Sequence, residues 1–158
     1  MTTILLIEDN PEVLENTAEL LELEGYQVDT ATDGREGVEV ACRLIPDLII
    51  SDIMMPKMDG YEVLKKLSSN PDTSAIPFIF LTAKTAKAER KLGLELGADD
   101  YLTKPYRGSQ LVKTIGSCLQ KKKALKEHFQ DDLNEYNDFI LLKRTELLDW
   151  LGQDDYQN

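Results

Sequence analysis

Runs of uninterrupted apolar residues alternate with stretches of helical period along the first 120 positions of the chain. Thr3 to Glu8 (TILLIE), Asp47 to Asp52 (DLIISD), Pro77 to Thr82 (PFIFLT) and Tyr101 to Lys104 (YLTK) are β-branched and leucine-rich throughout. Such runs fit strands covered on both faces, the pattern of a parallel sheet. Tyr26 to Ala31 (YQVDTA) is a weaker fifth candidate. Between them, Pro11 to Glu24 follows Asn10, a good N-cap, carries proline at the first helical position, places Leu14, Ala18 and Leu21 on one face and stops at Gly25. Gly34 to Leu44 carries Val38, Ala41 and Cys42 at helical spacing. Asp59 is placed to cap Gly60 to Leu67, whose Val63, Leu64 and Leu67 turn inward. Ala86 to Leu96 ends at Gly97, and Ser109 to Leu119 offers Leu111, Val112, Ile115 and Leu119. The strand–helix unit thus repeats five times, which predicts an α/β fold with a doubly wound, right-handed, five-stranded parallel sheet.

In open sheets of this kind ligands bind beyond the carboxyl ends of the strands. Glu8, Asp9, Asp52, Thr82 and Lys104 all fall at those ends. A single carboxylate there is unremarkable, because helix caps and solvated loops use the same residues. Five residues of complementary chemistry say more. Three carboxylates brought together repel one another and raise each other's pKa unless a cation intervenes. A hard divalent ion with oxygen ligands, Mg2+ keeping some of its waters, meets that need. Lys104 adds a positive charge and Thr82 a hydroxyl donor, so the set suits a phosphoryl group neutralised from several sides.

These residues also occur in a recognisable order. The Glu8-Asp9 pair after the first strand, Asp52 followed by Ile53-Met54-Met55-Pro56 and Met58-Asp59-Gly60, then Thr82-Ala83, then Lys104-Pro105, resemble the motifs of two-component response regulator receiver domains, the chemotaxis regulator type among them. The resemblance covers roughly residues 3 to 120. It implies a flavodoxin-like (βα)5 receiver whose phosphoacceptor is Asp52, charged from a phosphohistidine of a sensor histidine kinase or phosphotransfer protein. It further implies that Asp9, Asp52 and the Met54 carbonyl ligate Mg2+ and that Glu8 holds a metal-bound water. Many family members carry Asp at the position of Glu8, so this chain departs from the pattern there by one methylene. Lys104, the Thr82 hydroxyl and the Ala83 amide would take the phosphoryl oxygens, and the Lys104–Pro105 bond would be cis, an isomer that proline makes accessible. Thr82 and an aromatic at Tyr101 would form the switch, although an amphipathic tyrosine at a strand end has the same sequence signature. Met54 and Lys84 occupy the positions expected to tune the lifetime of the acyl phosphate.

Composition narrows the alternatives. A net charge of -11 and a pI near 4.5 argue against nonspecific binding to nucleic acid or anionic membranes. No apolar run approaches the ~20 residues of a membrane span, and the amino terminus reads as the first strand and not as a signal peptide. Cys42 and Cys118 lack metal-ligand spacing and are expected to pack as small reduced groups, which points to the cytoplasm. An aspartyl-phosphate-forming phosphatase would need a second Asp two places after Asp52, where Met54 stands. The chain is therefore expected to be a phosphoacceptor signalling protein and no classical enzyme. A phosphate-independent, receiver-like interaction module is the alternative.

The expected domains are a receiver over 1–122 and a helical extension over 123–158. Residues 121–158 hold six Lys or Arg against nine Asp or Glu, a net of -3, so a DNA-reading helix is not expected there. Leu125, Phe129, Leu133, Tyr136 and Ile140 recur at spacings of four, four, three and four, and Leu147 and Leu151 prolong the stripe. Continuous with the last receiver helix, the segment from Ser109 to Leu151 would be a rod of about 60 Å. Alternatively Asn137-Asp138 breaks it into a hairpin, with Asp138 capping Phe139 to Leu151 and Gly152 closing it. Such a stripe either folds back on its own receiver or self-associates, and the apolar run Phe139 to Leu142, wider than a coiled-coil seam, favours a packed helix pair or a homodimer over an isolated rod. The output is then a protein contact or an effector region outside this sequence. His128, the one histidine, reads as a solvated helical residue and not as a phosphotransfer site.

Overall fold

A computed structural model describes residues 1–83 and 87–153, apart from the side chains of 87–90 and 153. Five strands, β1 (Thr3–Ile7), β2 (Gln27–Ala31), β3 (Leu48–Asp52), β4 (Phe78–Thr82) and β5 (Asp100–Thr103), alternate with five helices, α1 (Pro11–Leu23), α2 (Gly34–Leu44), α3 (Gly60–Ser68), α4 (Lys87–Glu95) and α5 (Gly108–Gln153). All four strand pairings are parallel, in the order β2-β1-β3-β4-β5. Every strand expected from the apolar runs is present, including the weak second one. The two fully buried strands are β3 and β4, at the middle of the sheet and the centre of its hydrophobic runs.

Alternation along each strand sends successive side chains to opposite faces. Leu5, Ile7, Ile49, Phe78 and Phe80 join Val40 and Ala41 of α2 and Val63, Leu64 and Leu67 of α3 in one core. Ile4, Leu6, Ile50, Ile79 and Leu81 join Leu14, Ala18 and Leu21 of α1 and Leu111, Ile115 and Cys118 of α5 in the other. The sheet is therefore covered on both faces, as doubly wound folds require.

Local chemistry sets the helix starts. Asn10 Oδ1 accepts from the amides of Glu12 (3.1 Å) and Val13 (3.3 Å), with Pro11 at the first helical position. Asp33 caps α2 through the Glu36 amide, and Asp59 caps α3 through the Glu62 amide, each at 2.8 Å. Gly25, at φ 93°, ends α1 in the left-handed region that glycine adopts without a Cβ clash.

Two sequence expectations change, and one helix start goes untested. On α2 the buried positions are Gly34, Gly37, Val40 and Ala41, while Val38 is only partly buried and Cys42 is exposed, its sulfur 3.7 Å from Asn70 Nδ2. Cys42 therefore does not pack in the core; Cys118 does. The fourth helix begins at Lys87, and Ala86, its expected first residue, lies outside the described residues. The hairpin at Asn137-Asp138 does not form, because α5 runs unbroken for 46 residues. Asn and Asp cost only about 0.7 kcal/mol each in a helix interior relative to alanine, far less than the ~3 kcal/mol of a proline.

The chain divides into two compact units, Met1–Leu119 and Gln120–Asn158. Among the described residues no helix is long and apolar enough to cross a membrane.

Candidate functional site

Strand register brings the site together. Ile7 of β1 pairs with Ser51 of β3, so Glu8 follows level with Asp52. Asp52 pairs with Leu81, which puts Thr82 one step beyond it, and Thr82 pairs with Thr103, which puts Lys104 one step beyond that. The Lys104 amide donates to the Thr82 carbonyl at 2.7 Å and fixes this corner. The Lys104–Pro105 bond is cis, as expected.

Carboxylate oxygens of Glu8, Asp9 and Asp52 lie within 4.8 Å of one another. Glu8 and Asp52 are buried, whereas Asp9 is exposed at the mouth. Asp52 Oδ1 accepts from the Ile53 amide at 2.8 Å. Lys104 Nζ sits 3.7 Å from Asp52 Oδ2 and 3.1 Å from Glu8 Oε2. Glu8 is held at both ends, since its Oε1 accepts from the Asn10 amide at 3.2 Å.

The electrostatics follow from this geometry. Burial raises the Glu8 carboxyl above its ordinary value and the Asp52 charge adds to that, against the pull of Lys104 and the Asn10 amide. Burial likewise raises Asp52, opposed by Lys104 and the Ile53 and Met54 amides and reinforced by Asp9. For Lys104 burial is the largest influence and acts downward, but Asp52 and Glu8, with Tyr106, outweigh it and hold the ammonium above the usual lysine value. Three ionised carboxylates against one ammonium leave two negative charges, which one divalent cation would balance. An all-oxygen donor set of this charge fits Mg2+ better than a soft metal.

The remaining candidates take varied places. Thr82 is fully buried at the end of β4, and Ala83 is exposed just after it. Met54 is exposed, two residues past Asp52. Tyr101 is buried, its ring T-shaped to Phe80 at 6.4 Å and close to α4 at Gly93. Lys84 lies outside the described residues. His128 is an exposed helical side chain whose Nε2 is 3.7 Å from Asp132.

Two contributors escaped the sequence reading. One is the Asn10 amide, which orients Glu8 while the Asn10 side chain caps α1. The other is Gly60, where a Cβ would strike the Asp52 carbonyl oxygen and come within 2.9 Å of Ile53 Cα, so α3 can begin tight against the Asp52 backbone. The Asp59-Gly60 dipeptide was the available signal for the second.

Known proteins are similar to this chain in sequence and fold. The response regulator receiver domain family matches residues 4–116. The chain is 38% identical over 143 residues to the uncharacterized transcriptional regulatory protein YclJ of Bacillus subtilis, covering 90% of this chain and 62% of that protein. It is 43% identical over 121 residues to the transcriptional regulatory protein CpxR of Escherichia coli, covering 77% and 50%. The chain thus spans between half and two thirds of the length of these two relatives. Among solved structures it resembles the receiver domain of the sensor histidine kinase PA1611 of Pseudomonas aeruginosa, determined with magnesium coordinated in the active-site cleft, with a TM-score of 0.70, 31% identity and coverage of 75% of this chain and 98% of that one. With the acidic pocket, the parallel sheet and the family match all in agreement, the chain belongs to the response regulator receiver domains of two-component systems.

Proposed function

We propose that the chain accepts a phosphoryl group on Asp52 from a phosphohistidine of a sensor histidine kinase or phosphotransfer protein, in the presence of Mg2+, and switches a protein-interaction surface in response. The observation that carries this reading is the juxtaposition at one sheet edge of Asp52, its two acidic neighbours Glu8 and Asp9, and the Lys104 ammonium. In the transfer an Asp52 carboxylate oxygen forms a bond to phosphorus as the phosphorus–nitrogen bond breaks, and the electron pair leaves with the imidazole. Lys104 neutralises the moving phosphoryl charge, and the Thr82 hydroxyl and Ala83 amide take further oxygens. Asp9, Asp52 and the Met54 carbonyl are the groups assigned to Mg2+, with Glu8 on one of its waters. The bound ion would supply charge neutralisation and a template for the phosphoryl oxygens. The magnesium in the cleft of the PA1611 receiver supports that assignment.

Thr82 and Tyr101 are the proposed switch pair: Thr82 turns to the phosphoryl group and Tyr101 carries the change toward α4, β5 and α5. Met54 and Lys84 are the proposed tuners of hydrolysis, and decay rates identical to the parent in both Met54→Asn and Lys84→Ala would remove them from that role. The names of YclJ and CpxR support a gene-regulatory setting for these longer relatives, and the acidic composition of residues 121–158 supports an output through protein contact. The deciding experiment incubates the whole chain and its Asp52→Asn variant with Mg2+ and a small acyl phosphate and weighs both intact. A phosphate-sized gain in the parent alone is expected. No gain, or an equal gain in both, would sink the proposal in favour of a phosphate-independent interaction module.

A further inference from the structure

The second unit presents apolar surface that the receiver chemistry does not use. Leu125, Phe129, Tyr136, Ile140, Leu147 and Leu151 on α5 are each between 47% and 68% exposed. At 100° per residue they fall within one arc of about 80°. Contiguous apolar patches of more than a few hundred Å2 are rare on the surfaces of monomers, and most helical stability in proteins comes from packing such a face.

The order of the stripe is symmetric about Asp138. If an identical helix lies antiparallel across it with the two-fold axis at Asp138, Leu125 meets Leu151, Phe129 meets Leu147 and Tyr136 meets Ile140. An isologous contact requires this reciprocity, in which residue i meets j and j meets i. Asp138 itself falls on the side of the helix away from the stripe.

Charge separates the two possible directions. Asp132 and Lys143 lie in or beside the apolar arc, and Arg144 flanks it. Parallel helices in register would set Lys143 against Lys143 at the seam. The antiparallel arrangement sets Asp132 beside Lys143 on the same flank, one residue off level, and lays the Lys143 stem across Leu133. The present neighbours of these groups leave room for the exchange: Lys143 pairs with Glu146 at 2.9 Å along its own helix, and Asp132 is 3.7 Å from His128. Six large side chains a helix, on the order of 100 Å2 each, together with their flanks approach the ~800 Å2 per partner of a standard interface.

We propose that residues Leu125 to Leu151 form an antiparallel two-fold pair with the same segment of a second copy of this chain. The pairing stands independently of phosphorylation at Asp52. Sedimentation equilibrium on the full chain is expected to give twice the 17.9 kDa monomer mass with Mg2+ and phosphodonor absent. Tyr136→Glu with Ile140→Glu is expected to raise the dissociation constant by at least about tenfold, with unchanged phosphate uptake reporting an intact receiver. Asp132→Arg weakens the pair, and Lys143→Asp on the same chain restores it. In a Cys42→Ser background, Leu125→Cys and Leu151→Cys chains should crosslink on mixing and neither should crosslink alone. A monomer at high micromolar concentration, a dimer indifferent to the two glutamates, or crosslinking of Leu125→Cys to itself would each overturn the antiparallel pair.

Discussion

Glu8 and Asp52 are the residues whose protonation the fold disturbs most plainly. Both carboxyls titrate higher in the folded protein than in the unfolded chain, chiefly through burial. The folded state therefore binds more protons than the unfolded state between the unfolded and folded pKa values, and stability falls as pH rises through that window. Asp52→Asn removes this dependence at one site. Without Mg2+, its melting temperature should exceed that of the parent by a margin that opens as pH rises from below the ordinary Asp value toward neutrality; a margin constant with pH would contradict the raised Asp52 pKa. Glu8→Asp tests a different point. The shorter side chain gives up the 3.1 Å pairing with Lys104 and no longer competes for that ammonium. Mg2+ should bind about fivefold tighter, the ~1 kcal/mol of a partly exposed ion pair, as read by isothermal titration. Sequence alone placed both residues at strand ends, but the Glu8–Lys104 pair spans 96 positions and depends on one extra methylene, so no local pattern announced it.

At the scale of elements, two glycines in helices make opposite predictions. Gly60 opens α3 against the Asp52 carbonyl and Ile53 Cα. Gly60→Ala should destabilise the protein by about 2 kcal/mol through overpacking and disturb the Asp52 backbone as well. Gly116, in α5, has nothing within 4 Å of its Cβ position, so Gly116→Ala should stabilise by about 0.5–1 kcal/mol. Urea unfolding of both variants checks the contrast. The same residues explain where pattern reading succeeded. Runs buried on both faces, such as FIFLT of β4, have only one fit and were legible. The inner face of α2 was not, because it is built partly of Gly34 and Gly37, the latter pressed on Ile7, and glycine carries no hydrophobic signal. That rotation of the face is what leaves Cys42 outside. In α5, Asn137 and Asp138 are turn-prone in isolation but weak breakers within a helix favoured on either side.

For the molecule as a whole, the acidic balance and the acidic pocket act together. Mg2+ that binds the folded site and not the unfolded chain stabilises by RT ln(1 + [Mg2+]/Kd), about 1.4 kcal/mol for each tenfold excess over Kd. Thermal unfolding of the parent should therefore move upward with Mg2+, and Asp9→Asn should lose most of that response. A matched concentration of NaCl controls for general screening of the -11 net charge.

The ammonium shared between Glu8 and Asp52 also bears on what the pocket refuses. An acidic pocket in a living cell is surrounded by free inorganic phosphate and carboxylate metabolites. Here the one lysine among the described pocket residues is already committed to two acids, and the cavity keeps an excess of negative charge. Until a divalent cation balances that charge, stray anions meet repulsion at the entrance. The cation is thus what would turn the same three side chains from repelling an anion to accepting one.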